Sequence, residues 1–256
     1  YHLTFWTSRT TPNGLAFPLA TVALTHVVHG RHAYKGLALL AATAMMLRLE
    51  LVCLAVPAYL WTWWHHQRRF VYVFMTGAVT CAGSIALSVL VDSYFWRKRF
   101  LWPEGHAVIF NVIEGRSAEW GVSPPWTYVV RDLPRILFAA FPLALLGCTR
   151  RSSFRSPLVL LICTHVGLMS FLAHKEWRFL VYIVPLCNML AAQGASMLIR
   201  TYLGRWLMLG LVGTSAALWI LGTHVSIYNY PGGEALRILH TQMQEAQVVH
   251  LSLIHI

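Results

Sequence analysis

The chain has 256 residues, 57% of them hydrophobic and 11% charged, with a net charge of +11 at pH 7. A soluble domain carries about 25% charged residues, so the composition points to a polytopic membrane protein and excludes an ordinary water-soluble domain. The Lys and Arg residues are spread over many short segments rather than gathered on one face. That argues against a nucleic-acid partner and makes the basicity an orientation signal and a contact with membrane lipids.

Hydropathy predicts an all-α, polytopic chain with about eight membrane segments, at residues 14–29, 36–49, 50–64, 71–91, 135–148, 157–173, 179–199 and 206–226. The chain opens at Tyr1 without a signal peptide and reads as an internal fragment. Residues 36–64 admit two readings. A single helix would run about 43 Å and bury Arg48 and Glu50 in mid-membrane. A hairpin of two short helices lifts both to one surface, and we adopt it. Arg48 and Glu50 then form either a structural intramembrane ion pair or a functional one, since ionisable residues in a membrane segment mark function by default.

The longest interruption runs over 92–134. It contains Asp92, Trp96, Glu104, Trp120 and Trp126 among several cations. This mixture suits short segments at the membrane–water boundary, and tryptophan with carboxylate also occurs in sugar sites. Further on, Asn229-Tyr230-Pro231-Gly232-Gly233 reads as a turn, followed by an amphipathic segment to about residue 249. Residues 1–250 make a single transmembrane domain, and 251–256 are set aside as a non-native tail.

Between two apolar runs lies His174-Lys175-Glu176-Trp177-Arg178-Phe179. Charges cost roughly 3 kcal/mol each at a helix centre and far less at its end, so this stretch belongs at a membrane surface. If the helix starts near Trp177, His174 and Arg178 share a face. Glu176, two residues from Arg178, then points elsewhere and is a poor salt-bridge partner. Cations at a helix start oppose its dipole. The stretch is therefore either an interfacial anchor whose cations reach the headgroups or a phosphate site.

Charge also sorts the loops. Residues 29–35, 65–69, 150–155 and 200–205 are basic and free of acids, whereas all nine carboxylates lie elsewhere. Short basic loops stay cytoplasmic, which turns the acid-bearing set toward the lumen of a secretory membrane. The five cysteines sit in apolar runs without metal-ligand spacing, so neither a disulfide framework nor a zinc site is expected.

The stretch 174–179 resembles the HKExRF signature of the endoplasmic-reticulum mannosyltransferases that use dolichyl-phosphate mannose, polytopic enzymes of the GT-C fold. Ser8–Asn13, Arg48–Glu50, Val91–Trp96, Trp102–Gly105, Trp120–Pro124 and Asn229–Gly233 are similar to the branch that acts on the lipid-linked oligosaccharide precursor of N-glycans. The resemblance implies inverting transfer from dolichyl-phosphate mannose to an α-1,6 linkage, adding the eighth mannose at the luminal face, with no metal and no cofactor besides the donor substrate. It implies His174, Lys175, Glu176 and Arg178 at the donor phosphate, with Arg9, Arg48, Glu50 and Asp92 in support. Trp96, Glu104 and Trp120 fall to the acceptor side. The family's catalytic carboxylate lies in the first luminal loop, N-terminal to this chain, so no general base is expected among these residues and the fragment is expected to be inactive alone. A relative acting on another lipid-linked or glycosylphosphatidylinositol-anchor acceptor is the alternative within the family. Outside it stand a membrane transporter and a lipid-anchored scaffold.

Overall fold

The computed structural model describes residues 11–65, 69–150, 156–228 and 231–242. Arg9, Asn229, Tyr230 and the 251–256 tail lie outside them. Among the described residues the secondary structure is helical, with no strand. The chain divides into two compact units, Tyr1–Ser215 and Ala216–Ile256.

Helix α1 (Pro12–His29) opens with Pro at its first position and with the Thr11 hydroxyl accepting the Gly14 N–H at 3.2 Å, both ordinary start signals. Its buried stripe is Ala16, Ala20, Ala23, Leu24 and Val27, the period of one helical face. Small residues dominate it, and helices lacking a water-driven hydrophobic force associate closely through such residues.

Residues 36–64 form a hairpin. Helix α2 (Ala33–Met46) ends at an extended Arg48; a 3-10 turn (Leu49–Leu51) then starts helix α3 (Val52–His65). The Tyr59 hydroxyl donates to the Leu37 carbonyl at 3.2 Å, and these two residues are equidistant from Arg48, as antiparallel arms require. A broken helix leaves backbone groups without partners. Here the Trp102 indole N–H donates to the Met45 carbonyl at 2.9 Å, and the Glu104 carboxylate accepts the Leu49 N–H at 2.7 Å.

Helix α4 (Phe70–Trp96) is longer than predicted and takes Asp92 out of the expected loop. It buries Val73, Ser84 and Ser88 and exposes large side chains such as Phe74, Val79, Leu87 and Leu90. The loop region beyond it is a series of short helical pieces: α5 (Pro103–Val108), a π turn (Ile109–Ile113), a 3-10 turn (Arg116–Trp120) and a π turn (Tyr128–Asp132).

Helices α6 (Leu133–Leu137), α7 (Ala140–Cys148) and α8 (Pro157–Ser170) follow. A 3-10 turn (Trp177–Ile183) leads into α9 (Val184–Leu198). Pro185 accounts for that junction: its ring would clash with the carbonyl four residues back, so the chain enters α9 through a tighter turn. Helix α10 is Tyr202–Tyr228 and α11 is Pro231–Gln242. The turn expected at 229–233 is thus corrected over Pro231–Gly233, because proline suits the first helical turn.

Each of the eight predicted apolar segments holds a helix. Three stretches are long and apolar enough to cross a membrane, Phe70–Trp96, Trp177–Leu198 and Tyr202–Val225, while Ala33–Met46 and Pro157–Ser170 are shorter apolar helices. Within the first unit the helix ends sort by charge. Asn13, the 47–51 break and the 171–178 loop meet at one end, as the contacts below establish. Helices α1 and α2 separate Asn13 and the 47–51 break from the basic turn near 30, and α9 separates the 171–178 loop from the one near 200.

Helices α7 and α9 cross at two glycines. A Cβ on Gly147 would collide with the Leu190 carbonyl oxygen, and one on Gly194 with that of Leu143. Gly194→Val in the full-length protein should therefore lower the thermal-unfolding midpoint in detergent by several degrees, an overpacking cost of about 1–3 kcal/mol. Gly210→Ala on α10, where a Cβ meets open space, should not lower it, since alanine is the better helix former.

Candidate functional site

The backbone of residues 171–176 is not helical, which changes the expected geometry of the HKEWRF stretch. Glu176 is extended (φ −119°, ψ 134°) and immediately precedes the 3-10 turn. Its carboxylate turns back toward both neighbours: the Arg178 Nη2 donates to Oε1 at 2.6 Å, Arg178 Nε pairs with Oε2, and His174 Nε2 lies 3.1 Å from Oε1. Glu176 and Arg178 are therefore a forked ion pair, correcting the expectation that they point apart. That expectation assumed one regular helix through both residues.

Lys175 has a different task. Its ammonium is buried and donates to the Ser123 carbonyl at 3.1 Å and the Leu172 carbonyl at 2.6 Å. The Ser123 N–H donates to the Ala173 carbonyl at 3.0 Å. Together these bonds fasten Gly121–Pro124 to the 172–175 loop. Gly121 has φ +109°, a conformation reserved for glycine, and a Cβ there would lie 3.9 Å from His174 Nδ1. Burial lowers the Lys175 pKa, and its bonds to two carbonyls make it a tie between loops.

The hairpin apex meets this stretch through Phe179 and Tyr182. Arg48 donates from Nε to Glu50 Oε1 at 2.8 Å. Asn13 on α1 donates to the same oxygen at 3.1 Å and to the Tyr182 hydroxyl at 3.0 Å, and that hydroxyl lies 3.4 Å from Glu50 Oε1. The Phe179 ring has Arg48 Cζ 5.7 Å and Arg178 Cζ 5.9 Å from its centroid, both within the range of cation–π attraction. Two guanidiniums thus share one ring, each oriented by its own carboxylate. The fully buried Tyr128 sits next to the backbone of Glu176, and burial raises its hydroxyl pKa.

The other expected residues are placed elsewhere. Asp92 accepts from Ser88 Oγ at 2.6 Å on its own helix. Trp96 and Trp120 are exposed, as aromatic side chains at a membrane boundary are. Glu104 holds Leu49 at the apex, close enough to feel Arg48 and Glu50. Sequence reading missed Asn13, Phe179, Tyr182 and the fully buried His165, whose Nε2 lies 2.8 Å from the Phe179 carbonyl. A polar Asn in the first turn of an apolar helix was the available signal for the first. Among the described residues no group of three His, Cys, Asp or Glu is placed to hold a metal.

The model of the Alg9-like mannosyltransferase family matches residues 1–256. The chain belongs to that family. It is 33% identical to the Dol-P-Man:Man(7)GlcNAc(2)-PP-Dol alpha-1,6-mannosyltransferase of Arabidopsis thaliana, over 100% of this chain and 52% of the plant protein. Identity to the Saccharomyces cerevisiae protein of the same name is 32%, over 99% of this chain and 48% of that protein. A GPI alpha-1,2-mannosyltransferase 3 of Danio rerio is 31% identical over only 41% of this chain. The chain spans about half the length of the curated plant and yeast relatives it matches, and no solved structure matches it. In this member of the Alg9-like family, the HKEWRF stretch is the half of the cluster that carries Glu176, Arg178 and Phe179.

Burial pushes the Glu104 carboxyl above its ordinary range, although the Leu49 N–H and Arg48 pull the other way. The folded state then holds this proton more tightly than the unfolded chain. Stability from that proton is full below the ordinary glutamate value of about 4.3 and is lost as pH rises through the folded value. Glu104→Gln keeps an acceptor for Leu49 and should flatten the pH dependence of thermal unfolding above the ordinary glutamate value of about 4.3; an unchanged slope would refute the assignment.

Proposed function

We propose that the protein containing this chain transfers mannose from dolichyl-phosphate mannose to the lipid-linked oligosaccharide precursor of N-glycans. The reaction forms an α-1,6 linkage with inversion, adds the eighth mannose, and needs no cofactor beyond the donor. The observation that carries this reading is similarity along nearly the whole chain to plant and yeast proteins of one named specificity, against partial coverage by a GPI mannosyltransferase. The proposal extends to a GT-C fold with about eight membrane segments, an endoplasmic-reticulum membrane, and an active face toward the lumen.

The cluster supplies the means. Arg178 and Arg48 each commit the Nε edge to a carboxylate, which fixes the direction of the remaining donors. Cationic donors held in place before reaction stabilise negative charge as it develops on a departing phosphate, here phosphodolichol. His174 is bridged to Arg178 through Glu176. Three cations (Arg48, Lys175, Arg178) stand against three carboxylates (Glu50, Glu104, Glu176), so a phosphate would meet the donors these carboxylates leave free rather than fill an empty positive site. Trp96 and Trp120 remain acceptor-side candidates by exposure alone. No residue of this chain is proposed as the general base.

In the full-length enzyme, Arg178→Ala should cut mannose transfer about 100-fold with the protein still folded, and Arg178→Lys should retain a part of it because charge survives while the fork is lost. The assay uses dolichyl-phosphate mannose with the seven-mannose lipid-linked acceptor. Transfer to a GPI-anchor precursor instead would favour the sister specificity, and transfer to neither would remove the enzyme reading. Glycosylation tags should be modified beside Lys175 and not in the 30–32 turn; equal modification would refute the orientation.

A further inference from the structure

His165, on α8, lies beneath the centre of the cluster. Its side chain is completely buried, Nε2 is 2.8 Å from the Phe179 carbonyl, and its ring meets that of Tyr182 edge-on at 6.5 Å. We propose that His165 is a positioning residue: by holding the Phe179 backbone and the Tyr182 ring together, it sets the separation of the two guanidiniums that bind the donor phosphate.

The chemistry follows from which atoms face each other. A nitrogen against a carbonyl oxygen must carry the proton, so Nε2 is the donor. Nδ1 is buried and has no hydrogen-bond partner among the described residues; a proton there would be an N–H sealed away from any acceptor. The ring is therefore neutral with its proton on Nε2, a donor fixed in one direction.

The segment it grips needs such a hold. Phe179 and Tyr182 lie in the 3-10 turn that Pro185 imposes, and 3-10 hydrogen bonds are poorer than α-helical ones. Phe179 carries the ring flanked by Arg48 and Arg178, while the Tyr182 hydroxyl reaches Asn13 and Glu50, the partner of Arg48. One imidazole thus controls both arms of the cluster from behind. Misplacement by about 1 Å at a site of this kind is enough to cost catalysis heavily.

The test rests on the proposed activity and uses the full-length enzyme with dolichyl-phosphate mannose and the seven-mannose acceptor. His165→Leu removes the donor and His165→Gln keeps an N–H within reach. Each is measured alone and with Arg178→Lys. His165→Leu should lower kcat/KM for the donor roughly tenfold, leave the acceptor KM unchanged, and be largely rescued by Gln. In the Arg178→Lys background it should have little further effect, because the group it positions is already lost. Full activity of His165→Leu, equal defects of Leu and Gln, or an undiminished effect beside Arg178→Lys would each overturn the proposal. If the Leu variant does not accumulate as folded protein, the Gln variant carries the same cycle: a defect that persists undiminished beside Arg178→Lys overturns it, and near-normal activity supports it. A wild-type enzyme that transfers no mannose would instead overturn the activity on which the proposal stands.

Discussion

Backbone N–H and carbonyl groups cannot be left bare where water is scarce, and the break at residues 47–51 is where this chain meets that constraint most sharply. A helix running straight through would satisfy its backbone but bury Arg48 and Glu50 in hydrocarbon. The hairpin solves the charge problem and creates another, since it strands groups at the end of one arm and the start of the next. Trp102 and Glu104 answer it from a segment more than 50 residues away. Once the apex is closed in this way, Arg48 is delivered to the same end of the bundle as the HKEWRF stretch, and the two halves of the cluster can meet on Phe179.

The cluster that results is balanced rather than simply positive. Each half-buried guanidinium of the cluster is turned by a neighbouring carboxylate, and the buried ammonium is absorbed by carbonyls of two loops. Orientation of this kind has a cost in raw attraction for an anion and a gain in where the donors point. For the proposed transfer from a phosphodolichol donor, direction matters more, because stabilisation must be greater in the transition state than in the bound substrate.

Much of this was legible in the residues. Apolar runs located the helices because a long apolar segment leaves a clear compositional trace, and the acid-free stretches at 29–35 and 65–69 favoured the hairpin over a single helix for 36–64. The pairing of Glu176 with Arg178 was not legible. Spacing predicts partners only once the backbone conformation is known, and here an extended Glu176 preceding a 3-10 turn replaced the regular helix. Nor did the sequence distinguish Lys175 from its charged neighbours, since only the approach of Ser123 shows that the ammonium is enclosed. His165 sat in an apolar run, where a histidine most often satisfies a core contact, and nothing local marks the carbonyl it faces.

The clasp between Trp102, Glu104 and the hairpin apex has a mechanical side. Peeling residues 102–104 away would bare an indole, a carboxylate and two main-chain groups at once, so this piece of the loop and the tip of the hairpin move as one body. A load on residues 102–104 therefore passes to the Met45 carbonyl and the Leu49 N–H, on either side of Arg48.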